Sequence, residues 1–400
     1  MMSNTAPPRQ SIAIPRTVWV LGVVSLLMDI SSEMIQTLLP LYLVAGLGAS
    51  AIAIGFIEGL SVAIATITKL FSGMISDWTG RRKPLAVLGY GLGALSKPIF
   101  PLASSIGWIV VAKAVDRVGK GIRGTPRDAL IADVTPPEIR GASFGLRKSL
   151  DTVGGFVGPL AAIGLMLATD GDMIVIFWIA AIPAFLAVAL LIIGVKEPEQ
   201  PPSSSKGMPR FRDAGRLNRA VWIVIGVSSL LTLARFSEAF LLLKSQQAGL
   251  SLAWIPITMV VMHAVYGLTA YPVGYLSDRI GRRSMIALSL VFLIAADLAL
   301  ATAQTLPMLF AGIVLWGLHM GFSQGILSTL IADSAPKNLK GTAFGVFNLA
   351  TGLTVILGNV AAGLLWETWG SASTFLAGAV IALASLAAVP LLSAARQPAQ

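Results

Sequence analysis

The sequence predicts an all-α integral membrane protein: twelve transmembrane helices arranged as two pseudo-symmetric six-helix bundles. Three observations carry that expectation. The chain is too apolar and too poorly charged to cover a water-facing surface. Its basic residues gather after every second apolar stretch, and its second half repeats blocks of its first.

Of 400 residues, 55% are hydrophobic, 40 more are glycine and only 12% are charged, against about 25% charged in soluble proteins. A mean hydropathy of +0.80 calls for an apolar solvent around much of the surface, which excludes most soluble enzymes and nucleic-acid binders. The formal charge of +10 follows from Lys and Arg retained in cytoplasmic loops, so no nucleic-acid partner is implied. There is no cysteine, which excludes disulfides, thiolate metal sites and cysteine nucleophiles. The two histidines, His263 and His319, are too few for a metal cluster or a Ser-His-Asp arrangement. No metal and no cofactor are expected.

A membrane helix needs about 20 apolar residues, and breaks at charges, Pro and Gly delimit twelve spans. Span one runs from Val18 to about Leu47 around Asp29. It is too long for the h-region of a signal peptide, so it is expected to stay as a span, with Arg9 and Arg16 holding the N-terminus in the cytoplasm. Span two centres on Ile64 and ends at Arg81, Arg82 and Lys83. Span three centres on Gly93, and span four, on Gly119, precedes Arg140. Spans five and six centre on Gly155 and Ala184. After a polar stretch, span seven centres on Leu231, and span eight, on Ala264, ends at Arg279, Arg282 and Arg283. Span nine centres on Ala295, span ten, on Gly317, precedes Lys337 and Lys340, and spans eleven and twelve centre on Ile356 and Ala384. The other connections offer mainly Asp170, Asp172, Lys244 and Glu367. That alternation puts the basic loops and both termini, the last with Arg396, on the cytoplasmic side of the cell's cytoplasmic membrane.

The polar stretch from Lys196 to Arg219 holds Pro198, Pro201, Pro202, Pro209, the Ser203 to Ser205 run, Lys206, Arg210, Arg212 and Arg216. Such composition packs no core. It reads as a cytoplasmic linker, 196–219, between an N-terminal bundle, 1–195, and a C-terminal one, 220–400, with part of it suited to lie as a basic helix on an anionic leaflet.

The halves match at an offset of about 200 residues. Leu130-Ile131-Ala132-Asp133 recurs as Leu330-Ile331-Ala332-Asp333, and Pro136 recurs as Pro336. Arg140-Gly141-Ala142-Ser143-Phe144-Gly145 returns as Lys340-Gly341-Thr342-Ala343-Phe344-Gly345. Gly73, Ser76, Asp77, Gly80, Arg81 and Arg82 recur as Gly274, Ser277, Asp278, Gly281, Arg282 and Arg283. Two parallel six-helix repeats with a site between them near the midplane is a transporter architecture.

At these residues the chain resembles the major facilitator superfamily over essentially its whole length. The Gly-x-x-x-Asp-x-x-Gly-Arg pattern after spans two and eight is similar to that superfamily's first signature. The resemblance implies that Asp77 and Asp278 latch the cytoplasmic side when the carrier faces outward. The residues agree: Gly80 and Gly281 permit tight turns, and the carboxylates can take a helix N-terminus or an Arg. Arg117-x-x-Lys120-Gly121 in span four is similar to a signature of drug:proton antiporters, with Lys120 where many have Gln. Gly145, Gly154, Gly158 and Pro159 in span five have the spacing of the antiporter signature, although Ala162 and Ile163 replace its closing glycines. Small residues there serve close helix contact and Pro159 a kink.

A charge inside a span costs about 2.5–3.5 kcal/mol on insertion scales, so each one is a candidate site residue. Asp29 and Glu33 stand one turn apart on span one and could share a proton. Glu58 lies in the outer part of span two, Arg235 and Glu238 are spaced i,i+3 on span seven, and Asp297 is in span nine. On span four Lys113, Asp116, Lys120, Arg123 and Arg127 form one stripe, flanked by Arg117 and Asp128. Span five adds Arg147, Lys148 and Asp151. A cytoplasmic funnel or interhelical ion pairs are the plain alternative for the lower ends of both stripes.

The function these readings give is a proton-coupled efflux permease for small toxic or metabolic solutes. It would work by alternating access, with a carboxylate of span one carrying the proton and Arg117 sensing its charge. The expected partners are a small-molecule substrate, protons and the lipid bilayer, and the protein is expected to be a monomer. Nine Trp, 16 Phe and 13 Met would suit drug-like cations but serve packing or lipid contact more often. A looser resemblance, from Asp29-Ile30-Ser31-Ser32-Glu33-Met34 through Gly119-Lys120-Gly121-Ile122-Arg123-Gly124, is to nickel-resistance exporters of the superfamily. It makes divalent-metal export the runner-up, against which stand a tail without histidine, the weakness of carboxylate-only sites and the excess of cations. A membrane enzyme or a receptor is the remaining alternative, and neither a nucleophile with its base nor an output domain is visible.

Overall fold

The computed structural model describes residues 13–79, 81–197, 211–323, 326–336 and 339–393. All regular structure among them is helical. The N-terminal half contains α1 Arg16–Leu47, α2 Ala51–Thr79, α3 Arg82–Leu102, α4 Ile106–Val134, α5 Arg140–Ala168 and α6 Met173–Gly194. The C-terminal half contains α7 Arg219–Gln247, α8 Ile257–Ile280 and α9 Arg282–Thr302, then α10 Leu306–Ser323 continued by Ile326–Ser334, α11 Lys340–Trp369 and α12 Ser371–Ala388.

Eleven of these helices are long and apolar enough to span a bilayer among the described residues. The twelfth, α4, falls outside that group because of its charges, not its length: 29 residues make about 44 Å of helix. Its Lys113, Asp116, Arg117, Arg123 and Arg127 are buried against neighbouring helices, where protein groups replace water as their partners.

Helix ends follow local chemistry. Gly48 closes α1 in the left-handed region, φ 63°, its N–H donating to Leu43 O. Asp172 caps α6 by accepting from the N–H groups of Ile174 and Val175, and Asn218 caps α7 by accepting from Val221. Gly281 turns the chain between α8 and α9 at φ 89°, a backbone angle at which a Cβ is strained.

Packing obeys a two-fold pattern. In the first half α1 packs on α5 and α6, α2 on α4, and α3 on α4 and α6. In the second half α7 packs on α11 and α12, α8 on α10, and α9 on α10 and α12. Each is the other's image at a shift of six helices. The largest contacts between halves are also a related pair, α2 on α11 and α5 on α8, and α1 meets the second segment of α7 as well. The end carrying the starts of α1, α3, α5, α9 and α11 holds the arginine-rich turns and is here the basic face.

One element departs from expectation. Arg235 and Glu238 do not form an i,i+3 pair, because α7 is broken into Arg219–Ala234 and Ala239–Gln247 with both residues at the break. The break is held from outside the element: the Ser237 N–H donates to Asn359 Oδ1 of α11 at 2.7 Å, and the Ala239 N–H donates to Ser237 Oγ.

Candidate functional site

Helix α1 brings Asp29 and Glu33 to mid-depth, about 20–26 Å along it from its basic end. Glycines on α5 hold them in place. A Cβ at Gly154 would lie 2.9 Å from Asp29 Cβ, and one at Gly158 would lie 2.6 Å from Glu33 Cβ. Those contacts leave room only for hydrogen, so α5 lies directly on the acidic stretch of α1. Pro159 is buried inside α5 beside them, whereas Gly145 has nothing within 4 Å of a would-be Cβ.

In front of the two acids lies a chamber of about 500 Å³ in the basic half of the molecule, between the two bundles. Its cations are Lys69 of α2, Lys120, Arg123 and Arg127 of α4, and Arg147 and Lys148 of α5. The acids Asp128 and Asp151 join Asp29 and Glu33, and His263 and Tyr266 of α8 complete the wall. Four of these groups satisfy one another. Arg127 Nη2 stands 3.1 Å from Asp128 Oδ1, Arg147 Nη1 3.7 Å from the same oxygen, and Arg147 Nη2 2.5 Å from Asp151 Oδ2. The carboxylates of Asp29 and Glu33 have no such partner among the described residues, although both act electrostatically on Lys120.

A second chamber, about 160 Å³, lies toward the opposite face and is lined by Glu33, Glu58 and Glu238 together with Ser237, Met259 and Met262. Glu33 and His263 line both chambers. They form the partition between them, one from each half of the chain. On the side of the second chamber α2 and α11 touch backbone to backbone. A Cβ at Gly59 would lie 2.7 Å from Ile356 Cα, and one at Gly55 or Gly363 would strike the backbone of Asn359 or Ala51.

Other predicted site residues are spent on structure. Asp116 accepts from Lys97 Nζ at 2.8 Å, and the same ammonium donates to Ser32 Oγ at 3.1 Å. Lys113 pairs with Glu58. Arg117 lies 3.7 Å from Asp116, so its ion-pair partner among the described residues is Asp116 and not Asp29 or Glu33. Neither Asp116 nor Arg117 lines a chamber. Arg235 sits half-buried at the break in α7 and acts electrostatically on His319.

On the basic face Arg82 Nε stands 2.6 Å from Asp133 Oδ2, and Arg282 pairs with Asp333. These ion pairs tie the start of α3 to the end of α4 and the start of α9 to the end of α10, 200 residues apart. Arg81 is the residue before α3, and Arg283 lies in the first turn of α9. A Cβ at Gly73 would lie 3.1 Å from Thr125 of α4. Gly80, and the surroundings of Asp77, Gly274 and Asp278, lie outside the described residues.

Four participants went unassigned in the sequence. Lys97 stands at the Ser96-Lys97-Pro98 break, where a basic residue looks like a span end. Asp133 and Asp333 lie inside the repeated Leu-Ile-Ala-Asp block, and that repetition was the available signal. Glu197 accepts from the backbone N–H groups of Arg82 and Lys83 at 2.7 and 2.9 Å, capping α3, and nothing in its Pro-flanked context announced it.

The C-terminal half lacks this apparatus. Asp297 stands where the repeat puts Lys97, and Trp316 where it puts Asp116. Asp297 is fully buried with no partner to either oxygen among the described residues. Among the described residues no three His, Cys, Asp or Glu side chains gather as metal ligands.

Two six-helix bundles related by a two-fold pattern, enclosing polar chambers at mid-depth, define a multi-pass membrane transporter. Comparison with known proteins supplies the family. The profile of the Major Facilitator Superfamily matches residues 21–267 and 245–400, and the chain belongs to that family. It is 31% identical over 382 residues to an MFS-type transporter of Methanocaldococcus jannaschii, covering 93% of this chain and 94% of the other. It is 27% identical to the inner membrane transport protein YajR of Escherichia coli, over 92% and 81% of the two chains. Its fold superposes on a bacterial homologue of the human lysosomal transporter Spinster, crystallised inward-facing and unoccupied, with a TM-score of 0.77 at 16% identity, over 97% and 100% of the chains. The protein is thus a secondary transporter, in a family whose members carry small-molecule substrates and are not generally enzymatic.

Proposed function

We propose that this protein is a proton-coupled exporter of small solutes, working by alternating access across the cytoplasmic membrane as a monomer with both termini inside. The observation that carries this reading is the placement of Glu33: a carboxyl that borders both chambers and has no ion-pair partner among the described residues. In α1 it can exchange a proton with whichever side is open, and Asp29, one turn away, extends its reach into the larger chamber. Units 1–195 and 220–400 would rock about this point, joined by the linker 196–219. The basic face would be cytoplasmic, as its arginines require. Asp77 and Asp278 would add a latch there to the Arg82–Asp133 and Arg282–Asp333 ties. Arg117 would act on the coupling carboxyls only through Asp116.

A growth screen of a deletion strain against toxic ions, acids and drugs identifies a transported solute, and reconstituted vesicles then measure its flux. Glu33→Gln is expected to abolish uphill flux driven by a pH gradient while leaving solute counterflow intact, and Asp29→Asn to weaken the same uphill flux. Undiminished gradient-driven flux in both variants would remove these carboxyls from the mechanism.

A further inference from the structure

The larger chamber is lined mainly by charged and polar residues: among the described residues no Trp, Phe, Met or Leu lines it, Ala65 is its one aliphatic side chain, and Tyr266 and His263 are its rings. That is a poor surface for an amphipathic drug cation, which needs apolar or aromatic walls. Its charge points the same way. Six cations face four acids, and the Arg127, Arg147, Asp128 and Asp151 network takes two of each. Lys69, Lys120, Lys148 and Arg123 remain, set against Asp29 and Glu33. The lysines are exposed to the chamber. Lys148 Nζ lies over the Tyr266 ring at 5.9 Å. Arg123 is only 4% exposed, stacks over Tyr90 at 4.7 Å and keeps Nη1 without a hydrogen-bond partner among the described residues. That nitrogen is packed against Gly93 of α3, so Arg123 adds positive charge from behind the chamber wall and the lysines offer the donors that reach into it. Beyond the Glu33 and His263 partition the second chamber presents Glu33 and Glu238, with Glu58 neutralised by Lys113, a less favourable wall for an anion than the cationic chamber.

We propose that the larger chamber is a binding site for a small polar organic anion, whose acidic group is held by Lys120 and Lys148 with Lys69 at the rim and Arg123 adding its charge from behind the wall. This rests on the alternating-access reading for its role in transport, but binding itself can be tested without any gradient. The natural chain has no cysteine, so Ala65→Cys gives one thiol on the chamber wall, and Ser104→Cys gives an exposed control. In purified protein the negatively charged reagent methanethiosulfonate-ethylsulfonate is expected to outpace its positively charged ethylammonium counterpart at the chamber thiol. The preference should be about tenfold relative to the control, as for a cleft lined by one sign of charge. Lys120→Gln with Lys148→Gln is expected to erase the preference, and citrate or glucose 6-phosphate to slow labelling where tetraphenylphosphonium does not. Faster reaction with the cationic reagent, protection by tetraphenylphosphonium alone, or a preference untouched by the two glutamines would each overturn the proposal. A loss of proton coupling in the vesicle assay would leave these outcomes unaffected.

Discussion

Single residues in this protein divide into those that are paid with a partner and those that are not, and the division separates scaffold from site. Lys97 and Asp116 are 1% and 5% exposed and bonded to each other, which is how a buried charge is tolerated. Removing one partner strands the other: Asp116→Asn is expected to cost about 3–5 kcal/mol, read as a large drop in melting temperature in detergent. The double variant Lys97→Met with Asp116→Leu should recover most of that loss. If the double variant is as unstable as the single, the pair does more than compensate its own burial. Asp29 and Glu33 behave oppositely, since their carboxyls are unpaired and half-exposed to the chambers, and their substitution should change coupling without changing stability. The sequence marked these two acids because a charge in an apolar span is conspicuous. It could not mark Lys97 as their scaffold counterpart, because the bond to Asp116 spans 19 residues and a turn between helices.

At the scale of elements, the glycines of α5 are not equivalent although one sequence signature gathers them. Gly158 and Gly154 sit where α5 meets the acidic turns of α1, and Gly145 faces open space. Gly158→Val is expected to push the helices apart and abolish flux, with loss of a monodisperse peak on gel filtration. Gly145→Ala should leave flux unchanged and raise stability by about 0.5–1 kcal/mol through helix propensity alone. Equal damage from both would mean that the signature acts as a flexible unit and not through contact. The break in α7 teaches a related lesson. Leu-Ala-Arg-Phe-Ser-Glu-Ala-Phe reads locally as continuous helix, and the hydrogen bond that interrupts it comes from Asn359, 122 residues away. Charge spacing on a presumed helix gave Arg235 and Glu238 a shared face that the folded chain does not give them. Span number, by contrast, was legible, because bilayer thickness and loop charge constrain it from two directions.

At the scale of the whole molecule, the internal repeat sets the architecture and its divergence sets the site. Both halves keep the Arg-to-Asp tie on the basic face and the same packing pattern. Among the described residues the paired charged interior lies in the first half: Lys97 and Asp116 stand where the repeat puts Asp297 and Trp316 in the second. The halves meet chiefly through α2 on α11 and α5 on α8, symmetry-related seams that would close in turn under the proposed alternating access. The direct test is accessibility on both sides of the partition. Ala65→Cys reports the larger chamber and Gln36→Cys the smaller, each labelled by a membrane-impermeant reagent in oriented vesicles between pH 5.5 and pH 8. Reactivities that move in opposite directions with pH, and that Glu33→Gln holds at one extreme, are the result expected. Reactivities that rise together, or that ignore both pH and the substitution, would contradict an alternating, proton-linked carrier.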